Sequence, residues 1–351
     1  MALFDTAPHS LCILRLSAIG DVCNTIAVVQ AIQHQWPKAR ITWITGTLEA
    51  KLLESIDGIE LVVFDKSQGW KAHQTLWSQL RGRRFDALLH MQYAFRASIA
   101  TLGINAQYKL GFDSQRSQDF QTLFTNIKVP SPQKPHVLDG LMAFTHQLGI
   151  DEFEPCWKLD YNPKDAHWAE QYLVADRNNL VIVPGASKAY KNWHAQGYVD
   201  VIHHAEKLGW HVILAGSPAA VETELAKDIE SLCDVPVTNI VGQSSLLQML
   251  ALLDKCELVI APDTGPAHMA NAMNTPVIGL YAHHNPQRTG PYQYLDYVVS
   301  VWQQAIEQQT GQSHTMLDWR SRVKDKQAMN LIKSEQVIQM FDHVCEKESL
   351  L

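Results

Sequence analysis

Two turns in this 351-residue chain carry residue types that suit chemistry. The first lies in Leu258–Tyr292, LVIAPDTGPAHMANAMNTPVIGLYAHHNPQRTGPY. Asp263, Thr264 and Gly265 stand between a short apolar run and a small-residue helical pattern, with His268 one turn further on. Such a turn offers a carboxylate to sugar hydroxyls while the free N–H groups of a helix N-terminus face an anion. Asp263 and Thr264 would also serve simply as caps, and turn chemistry alone does not choose between the two. The second turn is LSAIGD, Leu16–Asp21. A dinucleotide loop needs three glycines to bring its backbone against a pyrophosphate. Here Gly20 stands alone with Asp21 directly after it, and a carboxylate there repels phosphate. It suits accepting a proton from a hydroxyl, or capping the helix that starts at Val22. A third group, Gln92, Arg96, Arg116 and Gln118, lies among aromatics, and Lys66, Lys71, Arg81, Arg83 and Arg84 extend a basic zone. Guanidinium forks match phosphate or carboxylate on an anionic acceptor. For any one of these residues, a solvated face is the plainer reading.

The elements that must position these residues alternate. Leu11–Leu16, Ile41–Thr45, Leu61–Phe64 and Ala87–His90 read as strands, with helical spacing over Val22–Gln35, Leu48–Ser55 and Gln74–Leu80. Weak periodicity from His90 through Pro135 predicts partial loop, and His136–Leu148 predicts a helix. Gly149–Pro163 reads as a linker, followed by a helix over Lys164–Val174. Strands at Leu180–Val183, His211–Ala215, Thr238–Val241, Leu258–Ala261 and Val277–Tyr281 follow, most of them ending in Gly, Ser or Pro turns. Glu335–Cys345 predicts a helix that fits either domain. This alternation predicts an α/β protein with parallel sheets, whose strand ends hold ligands. The domains expected are 1–155, 164–330 and a C-terminal helix in 331–351.

Composition narrows the function classes. The chain is 46% hydrophobic and 19% charged, which is ordinary for a globular protein. Its net charge of −7 lacks the basic excess of a nucleic-acid binder. Six scattered cysteines without a CxxC pair predict reduced thiols in a cytoplasmic protein. No apolar run approaches the roughly 20 residues of a spanning helix. MALFDTAPHS lacks the build of a signal peptide.

Three elements together, Leu16–Asp21, Pro184–Trp193 (PGASKAYKNW) and Ala261–Tyr281, resemble glycosyltransferase family 9, the ADP-heptose:lipopolysaccharide heptosyltransferases. The region GFDSQRSQDFQTLF, with HMQ before it, is similar to the heptosyltransferase I-like subgroup that adds the first heptose to Kdo, and within it to enzymes acting on a single phosphorylated Kdo. Whether the acceptor Kdo is single, double or phosphorylated stays open. The resemblance implies a GT-B fold of two facing Rossmann-like domains, with Kdo-lipid A held by the first and ADP-L-glycero-D-manno-heptose by the second. It implies inverting transfer with Asp21 as general base. Lys191 and Ser187 would meet the diphosphate, and Asp263 the heptose hydroxyls. Thr264, Gly265 and His268 would make phosphate and sugar contacts, Ser244 an adenine contact through its backbone, and Glu222 a ribose contact. Lys66, Lys71, Gln92, Arg96 and Arg116 are the acceptor-side candidates. No DxD element is present, so neither metal nor cofactor is expected. A lipid-linked acceptor implies peripheral contact with the cytoplasmic face of the inner membrane, and a monomer is expected.

Other readings predict other residues. A nicotinamide-dependent oxidoreductase needs GxGxxG, which neither first turn carries. A non-catalytic relative would be expected to lose Asp21 or Lys191, and both are present. A glycosyltransferase of the same fold with another nucleotide sugar or a later core acceptor stays open.

Overall fold

The computed structural model describes residues 2–150, 153–318 and 320–350. The chain divides into two compact units, Met1–Asp160 and Tyr161–Leu351. The predicted linker includes residues 151 and 152, which lie outside the described residues.

In the first unit the strands are β1 (Ser10–Leu14), β2 (Arg40–Gly46), β3 (Ile59–Phe64), β4 (Phe85–His90), β5 (Ala106–Phe112) and β6 (Ile127–Val129). Between and after them run α1 (Ile19–Gln35), α2 (Thr47–Leu53), α3 (Trp70–Gln79), α4 (Phe95–Ala100) and α5 (Val137–Leu148). The order is β3-β2-β1-β4-β5-β6, and every pairing is parallel. Leu11 to Leu14 of β1 have no exposure at all. A parallel strand covered by helices on both faces must be apolar on both, hence its unbroken LCIL run. The stretch expected to be partly loop holds α4, β5 and β6, with irregular segments at 113–120 and 130–136. Gln107 and Lys109 interrupt β5, and β6 is a three-residue edge strand, so neither shows clean periodicity.

The second unit repeats the plan. Its strands are β7 (Asn179–Ile182), β8 (His211–Leu214), β9 (Thr238–Asn239), β10 (Leu258–Pro262), β11 (Val277–Tyr281) and β12 (Val298–Ser300). Its helices are α6 (Pro163–Glu170), α7 (Ala195–Lys207), α8 (Ala220–Leu232), α9 (Leu246–Lys255), α10 (Gly265–Ala272), α11 (Pro286–Thr289), α12 (Trp302–Thr310) and α13 (Ser334–Lys347). The order β12-β11-β10-β7-β8-β9 is again all parallel. Counted within the unit it is the same order as the first sheet. Both sheets therefore reverse direction at one place, between β1 and β4 and between β7 and β10. Open α/β sheets bind ligands beside such a reversal, at the carboxyl ends of the strands.

The C-terminal helix belongs to the second unit. Val337, Phe341, Val344 and Cys345 of α13 are fully buried in its core, and Phe341 meets Trp210 edge-on with ring centroids 5.1 Å apart. Among the described residues no helix is long and apolar enough to cross a membrane. Trp210→Ala should cost about 3–5 kcal/mol of stability, because it empties a large volume under α13. Urea unfolding measures this, and a loss below about 1 kcal/mol would mean that α13 is not part of the cooperative core.

Candidate active site

In the first unit the reversal point is built around a charge. Arg15, at the end of β1, is 3% exposed. A buried guanidinium needs compensation on every side. Arg15 pairs with the Asp21 carboxylate and donates to the Met91 carbonyl just past β4. Helix α1 begins at Ile19, earlier than the expected start at Val22, so Asp21 lies in its first turn. The Asp21 carboxylate also accepts a weak bond from the Ala18 N–H, at 3.4 Å. Capping and charge pairing therefore coexist, and the Asp21 side chain keeps 37% of its exposure. Gln92 fixes the approach to this turn, its Oε1 accepting from the N–H groups of Leu16 at 2.9 Å and Ser17 at 3.3 Å. At the neighbouring strand end, a Cβ on Gly46 would lie 2.5 Å from the Leu16 carbonyl, so the β1 and β2 termini close up only around glycine. Burial, and then the nearby Arg15, push His90 down to about 3. It stays neutral, bonded to Ser98 Oγ.

The acceptor-side candidates divide. Lys66, Lys71 and Arg96 are exposed. Arg116 is a correction: it is 4% exposed, and its guanidinium donates to the carbonyls of Lys134 at 2.7 Å and His136 at 3.3 Å. It fastens the segment leading into α5 and is not presented to an acceptor.

In the second unit, the turns after β7 and β10 meet at the other reversal point. Lys191 Nζ donates to Asp263 Oδ2 at 2.8 Å. His284 Nδ1 donates to the same oxygen at 2.6 Å. A carboxylate only accepts, so Nδ1 carries the proton. Burial would raise the Asp263 pKa, but the bond from His284 and the charge of Lys191 outweigh it and hold the carboxyl well below the usual range. Thr264 starts α10, its Oγ1 buried without a protein partner, and Gly265 begins the helix proper. His268 is buried one turn in. The Lys191 turn is shaped by Asn192, whose Oδ1 accepts from the Ala186 N–H at 2.7 Å. Buried His283 lies between the carbonyls of Tyr190 and Val323. Ser187 is exposed on the same turn and Ser244 is half-buried ahead of α9. Both Glu222 oxygens receive bonds from Ser217, one from its N–H at 2.8 Å and one from its hydroxyl at 2.6 Å. A Cβ on Gly185 would lie 2.5 Å from Glu222 Cγ. Glu222 thus joins the Gly216–Pro218 turn to the Gly185 turn.

Arg15 and His284 are the residues that sequence reasoning missed. Arg15 was visible as the one charge in an apolar strand. His284 gave no signal, since its partner lies 21 residues away across a turn.

A family model described as "Glycosyltransferase family 9 (heptosyltransferase)" matches residues 73–318. A Haemophilus influenzae protein named lipopolysaccharide core heptosyltransferase OpsX is 48% identical over 338 residues, covering 96% of this chain and 97% of that one. The fold is similar to a crystal structure of a glycosyl transferase family 9 protein from Veillonella parvula, with TM-score 0.79, 19% identity and 97% of both chains covered. It is also similar to E. coli heptosyltransferase WaaC with ADP, with TM-score 0.72, 18% identity and coverage of 95% and 99%.

The shared oxygen of Asp263 gives a direct test. His284→Ala should raise the Asp263 pKa toward the ordinary carboxylate value of about 3.9, as read by carbon NMR titration. A depressed folded pKa means that the stabilising contribution is full above about pH 4 and is lost as pH falls through the folded value. The variant should therefore begin acid unfolding at higher pH than its parent. An unchanged titration would leave Lys191 as the group that holds the carboxylate.

Proposed function

The chain belongs to glycosyltransferase family 9, and on that premise we propose that it transfers L-glycero-D-manno-heptose from ADP-heptose to Kdo of the lipopolysaccharide inner core, with inversion and without a metal. The observation that carries the reading is the meeting of Lys191 and Asp263 at the reversal point of the second sheet. A cation and a sugar-binding carboxylate side by side suit a diphosphate-linked sugar. The family resemblance of the three turns and the relative named OpsX support the choice of donor and core region.

In the proposed reaction a Kdo hydroxyl attacks C1 of heptose from the face opposite the phosphate. The C1–O bond breaks, ADP leaves with the electron pair, and Asp21 takes the hydroxyl proton. Charge grows on the leaving diphosphate, so fixed donors aimed at it lower the barrier. Lys191 is the main one, assisted by the α10 N-terminus and the hydroxyls of Thr264 and Ser187. Asp263 holds heptose hydroxyls, with His268 beside it, while Ser244 and Glu222 serve the nucleoside end. Lys66, Lys71, Arg96 and Gln92 serve the acceptor side. The ion pair in the free protein means that Lys191 must exchange one oxygen of Asp263 for the diphosphate when the donor binds. Asp263 keeps His284 during that exchange. The site of action is the cytoplasmic face of the inner membrane, where a monomer meets its lipid-linked acceptor.

A transfer assay with ADP-heptose and two acceptors, Kdo₂-lipid A and phosphorylated Kdo-lipid A, followed by product mass, tests the whole reading. Transfer to either is expected. No transfer, with ADP still raising the melting temperature, would point to a later core acceptor or another ADP-sugar. Asp21→Ala should lower turnover by about 10²-fold or more with ADP affinity retained; undiminished turnover would remove Asp21 from the base role. Lys191→Ala should weaken ADP binding in titration calorimetry and slow transfer. Equal ADP affinity in variant and parent would sink the phosphate role.

A further inference from the structure

The first unit exposes large apolar side chains on one edge. Trp70 begins α3, Phe95 begins α4, and Phe120 and Leu123 lie on the turn after β5; all four are exposed. Phe120 and Leu123 are the extremes, at 72% and 79%. These positions follow the carboxyl ends of β3, β4 and β5, the same edge of the sheet on which Asp21 follows β1. They form one surface. Trp70 stacks on His73, with ring centroids 5.1 Å apart. His73 bonds the Arg96 carbonyl at 3.1 Å, and Phe95 meets Phe124 edge-on at 6.1 Å. Helix α4 packs against α3 and against the 121–124 turn. Isolated apolar residues on a surface need no explanation, but a contiguous group of aromatics does.

The turn at 119–123 is held so as to present its apolar residues. Asp119 and Phe120 adopt left-handed backbone, with φ of 50° and 59°, a conformation that bulky residues rarely take. The fully buried Gln121 imposes it. Its Nε2 donates to the carbonyls of His90 at 2.8 Å and Gln92 at 3.0 Å, and its Oε1 accepts from the Phe112 N–H at 3.1 Å. Asp119 accepts from the Phe95 N–H.

Charge identifies the occupant. Between Lys66 and Tyr108 there are six Lys and Arg and one acid, Asp86, in a chain of net charge −7. Asp86 is taken up by the N–H groups of His9 and Ser10 at the amino end of β1, away from this edge. Exposed Lys66, Lys71 and Arg96 adjoin these apolar residues in the sequence; Asp65 and Asp119 bond to local N–H groups, and Glu49, which faces Lys66, is buried. Aromatics at an interface with cations around them fit the headgroup layer of an anionic bilayer, where each Lys or Arg strengthens binding about fivefold.

We propose that the Trp70–Phe95–Phe120–Leu123 surface seats the protein on an anionic lipid bilayer. The hydrogen bonds give this contact a route to the chemistry. Gln121 joins the seated turn to Gln92, and Gln92 holds Leu16 and Ser17, which lead into Asp21. The link to a lipid-borne acceptor rests on the function proposed above, whereas the seating itself does not.

The test is flotation of the full chain with vesicles of phosphatidylcholine alone and of phosphatidylcholine with phosphatidylglycerol. The parent should bind the anionic vesicles, and raised salt should weaken the binding. The triple variant W70S/F120S/L123S should bind at least about tenfold more weakly, with an unchanged melting temperature as the folding control. K66Q/K71Q/R96Q should lose the preference for anionic vesicles. Transfer to a soluble, deacylated Kdo acceptor should be the same in parent and serine variant, while transfer to the lipid-embedded acceptor should fall in the variant. Absence of parent binding, or equal binding by the serine variant, would overturn the proposal. So would a parent dimer in sedimentation that the serine variant lacks, since the face would then seat a second copy. Failure of both proteins on the soluble acceptor would instead count against the proposed reaction and leave the vesicle result standing.

Discussion

A guanidinium with almost no access to water, Arg15, sets the terms for the first unit. Left unpaired, such a charge costs about 3–5 kcal/mol, so the chain around it is arranged to answer it. One partner, Asp21, comes from the turn after β1, and the other, the Met91 carbonyl, from the turn after β4. These two strands adjoin where the sheet reverses its winding. The ion pair therefore draws together the two turns that the topology already makes neighbours. It also gives the Asp21 carboxylate one orientation, with part of its surface left to solvent. Gln92 and Gln121 extend the arrangement by satisfying backbone groups that the strand ends leave open.

The second unit reaches a related result with the charges exchanged. Here a carboxylate, Asp263, is the centre and two cationic or protonated groups converge on one of its oxygens. With the same strand order in both sheets, each unit carries its charged pair at the equivalent place. The two units thus use one architectural solution twice.

Much of this was legible in the residues. The apolar run gives Val277–Tyr281 its observed limits, and the unbroken Leu11–Leu14 run of β1 and the apolar β10 could hardly be anything else in an α/β chain. What escaped was of two kinds. Strands β5 and β6 lie at the side of the sheet, where polar residues are tolerated and periodicity fades. The side-chain partnerships escaped because they span long stretches of chain: Arg15 meets Met91 across 76 residues, and Gln92 meets Leu16 across the same distance. Arg116 shows the converse error. Its charge suggested a ligand, yet the side chain is buried with its guanidinium on the carbonyls of Lys134 and His136. Residue type announces what a side chain can bind, whereas burial decides whether anything from outside reaches it.

The return of α13 to its own unit has an evolutionary consequence. With α13 buried in the core of the second unit, the chain passes between the two compact units a single time, near Asp160. A lineage can then alter or exchange one half as a block without unpicking the other. The turns after β7 and β10 are free to stay fixed while the loops after β3, β4 and β5 diversify. Such separate inheritance offers a simple path by which one ancestral transferase gives rise to paralogues that share a donor and differ in what they decorate.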